Sequence, residues 1–484
     1  MTNAHSRKVA LPSADTRHLL SRFSYGVTPA LLRGATGADG ANTWFELQLQ
    51  PENITDTEAA ALADWYPNVW RSPGVAAADD KSGGVQGFDV SADLARWTLM
   101  RRMVSNRQLH EVMTDFWSNL LHIPAPEKKS WPWRPDYDRV VRSHALGRFE
   151  DMLVACVLHP AMGCYLDNAK STATNTNENL GRELLELHTV GLTQNYSEAE
   201  VRDSAYILTG WYVDVFGTYK ASYEPSVHKR GPVKVLDFAD DNADANGAEM
   251  SRRYIRHLAN HPATARRVAQ RLAVRFVSDD PSPGLVTDIE KVFTDSGTDI
   301  KATLRALIRH PEFKASIGAK VRTPVEDAVA TWRVLGVKAQ PSTANDSFAK
   351  AAIFQATAMG QRPFDWGRPD GFPDDAEAWT GVSRVLNSFD VHKNVAGGYF
   401  PRTAVTYRKD ASWLPPLPAT LSQVVNFVSK QVLARAASPT LKDAVAARLE
   451  LPLSFAVRTP DDMQKWRIVP LLATVLDSPD HMTR

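Results

Sequence analysis

The chain has 484 residues, of which 43% are hydrophobic and 23% charged, so it can bury a large core and is neither a disordered chain nor a collagen-like repeat. Its 56 Lys and Arg residues nearly balance its 55 Asp and Glu residues, which excludes a general electrostatic attraction to nucleic acid or an anionic membrane. Cys156 and Cys164 are the two cysteines, so the chain can form neither a disulfide framework nor a four-thiolate zinc site.

The N-terminal segment has basic residues at Arg7 and Lys8, but no apolar run of the length that a secretory signal needs follows them. No other stretch stays apolar for the roughly 20 residues of a membrane span. We therefore expect a soluble, cytoplasmic protein without a membrane or nucleic-acid partner.

Apolar residues recur every three or four positions along most of the chain, as at Leu94, Trp97, Met100 and Met103. This spacing places them on one side of a helix. The sequence predicts a mainly α-helical protein, in which residues 1–484 form one large multi-helix globular body with no clear domain boundary.

Several segments lack this periodicity. Residues 72–88 are rich in Gly, Ala and Asp and are interpreted as a loop. Residues 211–238 are β-branched and aromatic and are broken by glycine and proline, which predicts a small β-hairpin-like insertion. Residues 361–376, QRPFDWGRPDGFPDDA, predict an ordered loop, and such loops often carry binding residues.

A histidine precedes a proline at three places, His159, His261 and His310, without a fixed period. The residue before a proline disfavours the helical conformation. Each pair is therefore predicted to end the preceding helix, and a repeat architecture is not supported.

The first segment with candidate chemistry is residues 110–122, HEVMTDFWSNLLH. At about 100° per residue, Asp115, Ser118, Asn119 and His122 share one face of a helix. A carboxylate, an amide and an imidazole on one stripe can orient a polar substrate or bind a hard cation. The alternative is the solvated face of an ordinary amphipathic helix.

The second segment, residues 165–191, begins with a polar loop that carries Asp167 and Asn168 and continues into a helix near Glu178. The helical wheel separates a leucine-lined core side from a polar face. The polar face contains Glu178, Asn179, Arg182, Glu183, Glu186 and Thr189.

Two interpretations of this acidic face stay open. If it is buried, like charges raise the pKa of at least one glutamate while Arg182 keeps another ionised, and that separation suits an acid and base pair. Alternatively, Arg182 pairs with Glu178 and Glu186 at i ± 4 and merely supports the helix.

Two histidines near these segments are candidate ligand-binding groups. The stretch ELLELH lacks the second histidine of a zinc-protease helix, so His188 is either a hydrogen-bonded core residue or a pocket residue. His228 follows the β-like insertion and could project into a cleft, where the neighbouring Lys229 and Arg230 would favour an anionic substrate group.

The 13 tryptophans include Trp117 and Trp211, which lie in or next to polar segments. Aromatic faces beside carboxylates and amides commonly hold sugars, although tryptophan is also a frequent core residue. Both side chains are therefore candidate substrate platforms.

A series of motifs extends over most of the chain. It comprises MTDFWSN at 113–119, RSHALGRFEDML at 142–153, HPAMGCYLDN at 159–168, NENLGRELLELHTVGL at 177–192, LTGW at 208–211, HPATARRVAQRLAVRFVSDDP at 261–281, VRTPVEDAV at 321–329 and PDGFPDDAEAW at 369–379. With these motifs the chain resembles a large bacterial family catalogued as domain of unknown function 1800.

The resemblance implies no defined activity. Ser118 and Leu120 stand where relatives often have histidines, and Lys229 stands where an acid is usual, so the departures weaken a metal site. Relatives are often exported and encoded beside a sulfatase-like family, so the resemblance also implies a protein partner of that family and a location outside the cytoplasm.

The leading hypothesis is a hydrolase or group-transfer enzyme that acts on a polar substrate such as a carbohydrate, without a cofactor. Glu178 or Glu183 would be the general acid, and Asp115 or Asp167 the base or nucleophile. The predicted substrate-binding residues are Asn119, Asn168, Arg182, His188, Trp117, Trp211 and His228.

Two alternatives use the same segments. A metal-dependent enzyme would bind a divalent metal through Asp115, His122, Glu183 and His188. A non-catalytic binding or assembly protein would use the acidic helix face as a partner surface.

Overall fold

Helices dominate the structure, a computed structural model that describes residues 11–35, 40–215, 217–342 and 347–484. Within these ranges the chain forms twenty-five α-helices, and its strands form four two-stranded antiparallel sheets. The predicted mainly α-helical fold is confirmed.

Ten helices precede the second polar segment. They are α1 Ala14–Arg22, α2 Pro29–Gly34, α3 Gly40–Gln48, α4 Thr57–Trp65, α5 Pro73–Lys81, α6 Gly87–Val104, α7 Gln108–Leu120, α8 Arg134–His144, α9 Phe149–Val157 and α10 Pro160–Tyr165. The interpretation of residues 72–88 as a loop was wrong, because α5 fills half of it. Pro73 suits the first turn of a helix, and the alanines that follow are strong helix formers.

Seven helices occupy the middle of the chain. They are α11 Asn179–Glu183, α12 Glu198–Ile207, α13 Ala248–Asn260, α14 Pro262–Phe276, α15 Pro283–Asp295, α16 Ile300–Arg309 and α17 Pro311–Ala315. A π-helical turn, Leu184–His188, directly follows α11.

The three His-Pro histidines both end one segment and begin the next helix. The Nδ1 atoms of His159, His261 and His310 accept the backbone N–H groups of Ala161, Ala263 and Glu312 at 3.1, 3.1 and 3.3 Å. Each histidine therefore caps the helix that starts at its proline, a role that the sequence did not predict.

Eight helices form the last part. They are α18 Pro324–Val334, α19 Phe348–Ala358, α20 Ala376–Trp379, α21 Val382–Ala396, α22 Leu421–Val432, α23 Pro439–Leu449, α24 Lys465–Leu476 and α25 Pro479–Met482. Residues 361–375 between α19 and α20 contain no helix or strand, in line with the predicted loop.

The strands are two or three residues long and form hairpins and pairs. They are β1 Trp211–Val213, β2 Ala221–Tyr223, β3 Val233–Val235, β4 Phe238–Asp240, β5 Lys338–Ala339, β6 Val405–Thr406, β7 Ala419–Thr420 and β8 Ala456–Val457. Consecutive strands pair, with Tyr212 opposite Ser222 and Lys234 opposite Ala239. The insertion predicted at residues 211–238 is thus two hairpins, the second of which continues to Asp240.

Aromatic side chains tie distant helices into the core. Phe23, at the end of α1, stacks on Phe276 of α14 with ring centroids 4.7 Å apart, and Phe116 of α7 lies 6.2 Å from the same ring. Most of the buried hydrophobic side chains form one cluster that extends from Leu19 to Leu476. The polar face of α7 lies beside this cluster.

Candidate functional site

The polar face predicted on α7 lines a small cavity beneath the loop of residues 361–375. Asp115, Ser118, Asn119 and His122 line it together with loop residues that include Phe372. The cavity has a volume of about 30 Å³, close to the space of a single water molecule. A sugar cannot enter it in this arrangement.

Two hydrogen-bonded contacts hold the loop against α7. Asn119 exchanges hydrogen bonds with the backbone of Phe372, and the Nε2–H of His122 donates to the carbonyl of Trp366 at 2.9 Å. Trp117, on the opposite side of α7, is fully buried, and its indole N–H donates to the carbonyl of Ala145 at 3.0 Å. Trp117 is therefore a core residue rather than a sugar platform.

Asp115 is neutralised by two guanidinium groups. It pairs with Arg102 and, at 3.0 Å, with Arg275, which also contacts Glu326 at 2.9 Å and Asp374 at 2.8 Å. Burial alone would lower the pKa of Arg275, but the charges of Glu326, Asp374 and Asp115 outweigh burial and raise it. Asp115 therefore belongs to a buried ion network, which leaves it poorly suited to act as a base or nucleophile.

Asp167 and Asn168 lie in a different place from Asp115. Asp167 has a left-handed backbone, with φ of 59°, and pairs with Lys129 at 2.5 Å. Asn168 is buried and donates from Nδ2 to the carbonyl of Leu208 at 3.0 Å. Asn168 also lines a cavity of about 140 Å³ with Trp211 of β1, so these two predicted binding residues do meet.

His228 is enclosed within the insertion. Its Nε2 lies 2.8 Å from Oδ1 of Asn242, and its Nδ1 lies 3.1 Å from both the carbonyl and the hydroxyl oxygen of Thr209. The side chain is buried. The expectation that His228 projects into a cleft was wrong, because neighbouring polar groups already occupy both ring nitrogens.

The second polar segment departs from a regular α-helix after Glu183. The Oγ1 of Thr189 donates to the carbonyl of Leu184 at 2.6 Å, and the backbone N–H of Gly191 donates to that of Leu185 at 2.8 Å. The predicted wheel therefore fails beyond Glu183, and Thr189 is buried instead of lying on the polar face. Single π-helical turns of this kind recur at functional sites.

Arg182 forms ion pairs with three glutamates on the solvent side of α11. Its guanidinium lies 3.5 Å from Glu178, 3.6 Å from Glu186 and 2.6 Å from Glu198 of α12. Glu178 and Glu186 are thus used as i ± 4 partners, the helix-supporting interpretation of this face.

Glu183 differs from the other three carboxylates predicted to be catalytic. Asp115, Asp167 and Glu178 all have a cationic partner, whereas Glu183 forms no ion pair with any residue in the described ranges. Its side chain is partly buried. Burial raises its pKa, the charges of Glu186 and Asp370 raise it further, and Arg182 opposes them.

Asp370, in the loop of residues 361–375, is a functional candidate that the sequence did not single out. Its carboxylate accepts the indole N–H of Trp366 at 2.7 Å and lies 3.1 Å from Arg368. Burial, followed by the charges of Glu183, Glu127 and Asp370, raises the pKa of Tyr165 to about 12. Glu127, Tyr165, Glu183 and Asp370 are hereafter called the acidic cluster.

His188 connects the π-helical turn to α7. It is fully buried, and its Nδ1–H donates to the carbonyl of Leu120 at 3.1 Å, while burial lowers its pKa to about 4. Of its two predicted alternatives, the structure shows the buried, hydrogen-bonded one.

The four predicted metal ligands, Asp115, His122, Glu183 and His188, do not converge on one point. Within the described ranges, the group of three or more ligand side chains that does converge is Asp327, His392 and His481. All three are buried, and their ligand atoms lie within 4.8 Å of one another. They are far apart in the sequence and form no local motif, which is why sequence reasoning missed them.

Two more carboxylate contacts organise this group. The Nε2 of His392 lies 3.0 Å from Oδ1 of Asp327, and its Nδ1 lies 2.8 Å from Oδ1 of Asp477. Burial would lower the pKa of His392, but the two carboxylates raise it to about 9. The two carboxylates therefore favour the protonated form of His392, whereas burial lowers the pKa of His481 to about 4.

None of the helices in the described parts of the chain combines the length and the apolar character needed to cross a membrane.

A family profile described as protein of unknown function (DUF1800) matches residues 18–483. The chain therefore belongs to this family, as its motifs predicted. No curated protein and no solved structure matched it.

Proposed function

We propose that this member of the DUF1800 family is a hydrolase or group-transfer enzyme that acts on a polar, carbohydrate-like substrate at the acidic cluster. Glu183 is the general acid and Asp370 the base or nucleophile. The supporting observation is that Glu183, alone among the four carboxylates predicted to be catalytic, has no ion-pair partner in the described ranges and has a raised pKa.

Two carboxyl groups in unlike environments suit the two roles. A general acid must hold its proton near neutral pH, and burial together with like charges favours the protonated form of Glu183. Asp370 instead accepts a hydrogen bond from Trp366 and lies beside Arg368. Asp370 replaces Asp115 and Asp167 in the role of base because its charge, unlike theirs, is among those that raise the pKa of Glu183.

Aromatic rings beside the carboxyl groups support a carbohydrate-like substrate. Tyr165 and Trp366 are both partly exposed, and the Arg368 guanidinium lies 5.2 Å from the centre of the Trp366 ring. Sugars bind to such partly exposed rings through their apolar faces while carboxylates accept their hydroxyl groups.

The scaffold holds the two catalytic candidates in a common frame. Glu183 is the last residue of α11, and the π-helical turn after it is tied to the C-terminal end of α7 through His188 and Leu120. The loop that carries Asp370 is tied to the same end of α7 through Asn119 and His122. Preorganisation of this kind is what acid and base catalysis requires.

The test is turnover of para-nitrophenyl and methyl glycosides by the wild-type chain and by Glu183→Gln, Asp370→Asn and Glu178→Gln. General acid catalysis contributes roughly 100-fold or more, so Glu183→Gln should lose at least that much on methyl glycosides and much less on para-nitrophenyl glycosides, whose leaving group needs little protonation. Glu178→Gln, at the N-cap of the same helix and paired with Arg182, is the matched control, and its turnover should stay within about twofold of the wild type. An equal loss on both glycosides, or none, contradicts the assignment of Glu183.

A second candidate function, a metal-dependent enzyme, is supported by Asp327, His392 and His481. Oδ1 of Asp327 lies 3.0 Å from Nε2 of His392 and 3.4 Å from Nε2 of His481. The ligands of a tetrahedral zinc ion are separated by roughly 3.3 Å. Asp477 behind His392 is the carboxylate that often orients a metal-binding imidazole.

The assembly hypothesis, and the sulfatase-like partner that the resemblance implies, remain predictions. If Glu183→Gln lost a protein partner while turnover was unchanged, the acidic face would be a docking surface rather than a catalytic one.

A further inference from the structure

A cavity of about 270 Å³ lies where α1, the turn after α17, the end of α22 and residues 480–484 meet. It does not include any residue of the acidic cluster. Four arginines line it: Arg17, Arg322, Arg435 and Arg484. The cavity is hereafter called the arginine pocket.

Two of these arginines are buried and keep unused hydrogen-bond donors. Arg322 is 5% exposed. Its Nε–H donates to the carbonyl of His481 at 2.8 Å, and its Nη2 lies 3.3 Å from the hydroxyl of Ser21. Its Nη1 has no hydrogen-bond partner in the described ranges. Arg484 is also 5% exposed, and its Nε has no partner. Each of these atoms is free to donate to a further acceptor.

A third guanidinium, that of Arg22, lies behind the pocket wall. It is fully buried and donates to the backbone carbonyls of Val277 and Ser316 at 3.2 and 2.6 Å. Burial lowers the pKa of Arg22, and the charges of Arg484 and Arg322 lower it further. The three guanidinium groups are therefore close enough to repel one another.

The carboxylates of the described ranges leave two of these three guanidinium groups without a direct ion pair. Glu326 lies 3.0 Å from Arg484 but is shared with Arg275, and neither Arg22 nor Arg322 forms an ion pair there. The carboxylate on the pocket wall, Asp480, is held by Arg435 at 2.6 Å. Buried positive charge without a counterion is unfavourable, so an anion in the pocket would stabilise the fold.

We propose that the arginine pocket binds a tetrahedral oxyanion of the phosphate type, free or as the monoester group of a small molecule. Guanidinium groups present paired N–H donors that match the oxygens of phosphate. The volume is slightly below the roughly 300 Å³ of the smallest pockets for drug-sized ligands, which suits a small anion. Arg17 and Arg435, which are partly exposed, form the entrance, and Arg322 and Arg484 form the floor.

The test is titration calorimetry of the full chain with sodium phosphate and with glycerol phosphate, at an ionic strength held constant with sodium chloride. We expect saturable binding at one site. Loss of a charged hydrogen-bond donor should weaken binding about tenfold in Arg17→Ala and in Arg435→Ala. Arg448→Ala, at an exposed position on α23, removes the same charge outside the pocket and should bind like the wild type.

The two sources of the ligand are separated by their relative affinities. Tighter binding of inorganic phosphate identifies the free ion, and tighter binding of glycerol phosphate identifies a monoester. The proposal is overturned if phosphate has no more effect than chloride, if acetate binds as tightly as phosphate, or if Arg17→Ala and Arg435→Ala bind phosphate like Arg448→Ala.

Discussion

Asn119 and Phe372 form a reciprocal pair across 253 residues of chain. Nδ2 of Asn119 donates to the carbonyl of Phe372, and Oδ1 of Asn119 accepts the N–H of Phe372, both at 2.7 Å. One amide side chain thus completes the backbone hydrogen bonds of a loop residue. The pair fixes the loop that carries Asp370 to the helix that faces it.

Replacement of Asn119 by alanine should release this loop. Two hydrogen bonds are lost, each worth about 1 kcal/mol, so we expect the free energy of unfolding to fall by about 2 kcal/mol. Limited proteolysis should cut within residues 361–375 much faster than in the wild type. Asn387→Ala is the control, because the side chain of Asn387 bonds to Ser383 in its own helix, α21. Equal proteolysis of the two variants would show that the pair does not hold the loop.

The raised pKa of Glu183 predicts the direction in which turnover changes with pH. A general acid works while protonated, so activity should fall as the pH rises through the pKa of Glu183. Because the charge of Glu186 raises that pKa, Glu186→Gln should move the alkaline limb of the profile to lower pH. Glu198→Gln removes another carboxylate partner of Arg182 and should leave the limb in place. A shift in the opposite direction would rule out Glu183 as the titrating acid.

His188 should make the fold sensitive to acid. Its pKa is about 4 in the folded chain and 6.5 in the reference state, so the unfolded chain takes up the proton first as the pH falls. Stability should therefore be complete above pH 6.5 and decline between pH 6.5 and about 4, by up to about 3 kcal/mol for this imidazole.

Urea unfolding at a series of pH values measures this effect. His188→Asn keeps an N–H donor for Leu120 but does not titrate, so its stability should depend less steeply on pH in that window than the wild type does. His144→Asn, at a partly buried position at the end of α8, is the comparison. An unchanged slope for His188→Asn would show that the acid sensitivity arises elsewhere.

The metal-dependent alternative predicts a defined stoichiometry. Chain purified after exposure to zinc should retain about one zinc per molecule by elemental analysis, and chelation should lower its melting temperature. His392→Gln should lose the metal, whereas His257→Gln, in a surface pair with Asp237, should keep it. If the wild type retains no zinc and chelation does not change its melting temperature, the metal-dependent alternative is contradicted. His392 is then an imidazolium that links Asp327 and Asp477.

Regular helices made part of the site predictable. Asp115 and Asn119 share a face because α7 keeps one period as far as Leu120, and His122, two residues beyond the helix, lines the same cavity. The same wheel failed after Glu183, where the chain changes to a π-helical turn. Gly181, in α11 just before this turn, packs closely against α12: an added Cβ would lie 2.8 Å from the backbone nitrogen of Ala205.

Long-range electrostatics made the rest unpredictable. Asp115 had the right residue type and the right face, but Arg275, which neutralises it, lies 160 residues away. Asp370 lay inside the predicted binding loop, yet its proximity to Glu183 depends on how the loop docks onto α7. The group of Asp327, His392 and His481 gave no periodic signal at all.

The wide separation of Asp327 from His481 has a consequence during synthesis. Thr331, one turn after Asp327, and its partner His481 are 150 residues apart, and at 5 to 20 residues per second the ribosome needs roughly 8 to 30 s to make that stretch. Until then the nascent α18 carries Asp327 and Glu326 without His481 and Arg484. The contacts of α18 with His481 and Arg484 can therefore form only after residues 481–484 are made, whereas Arg275, Arg384 and His392 are available to Glu326 and Asp327 earlier.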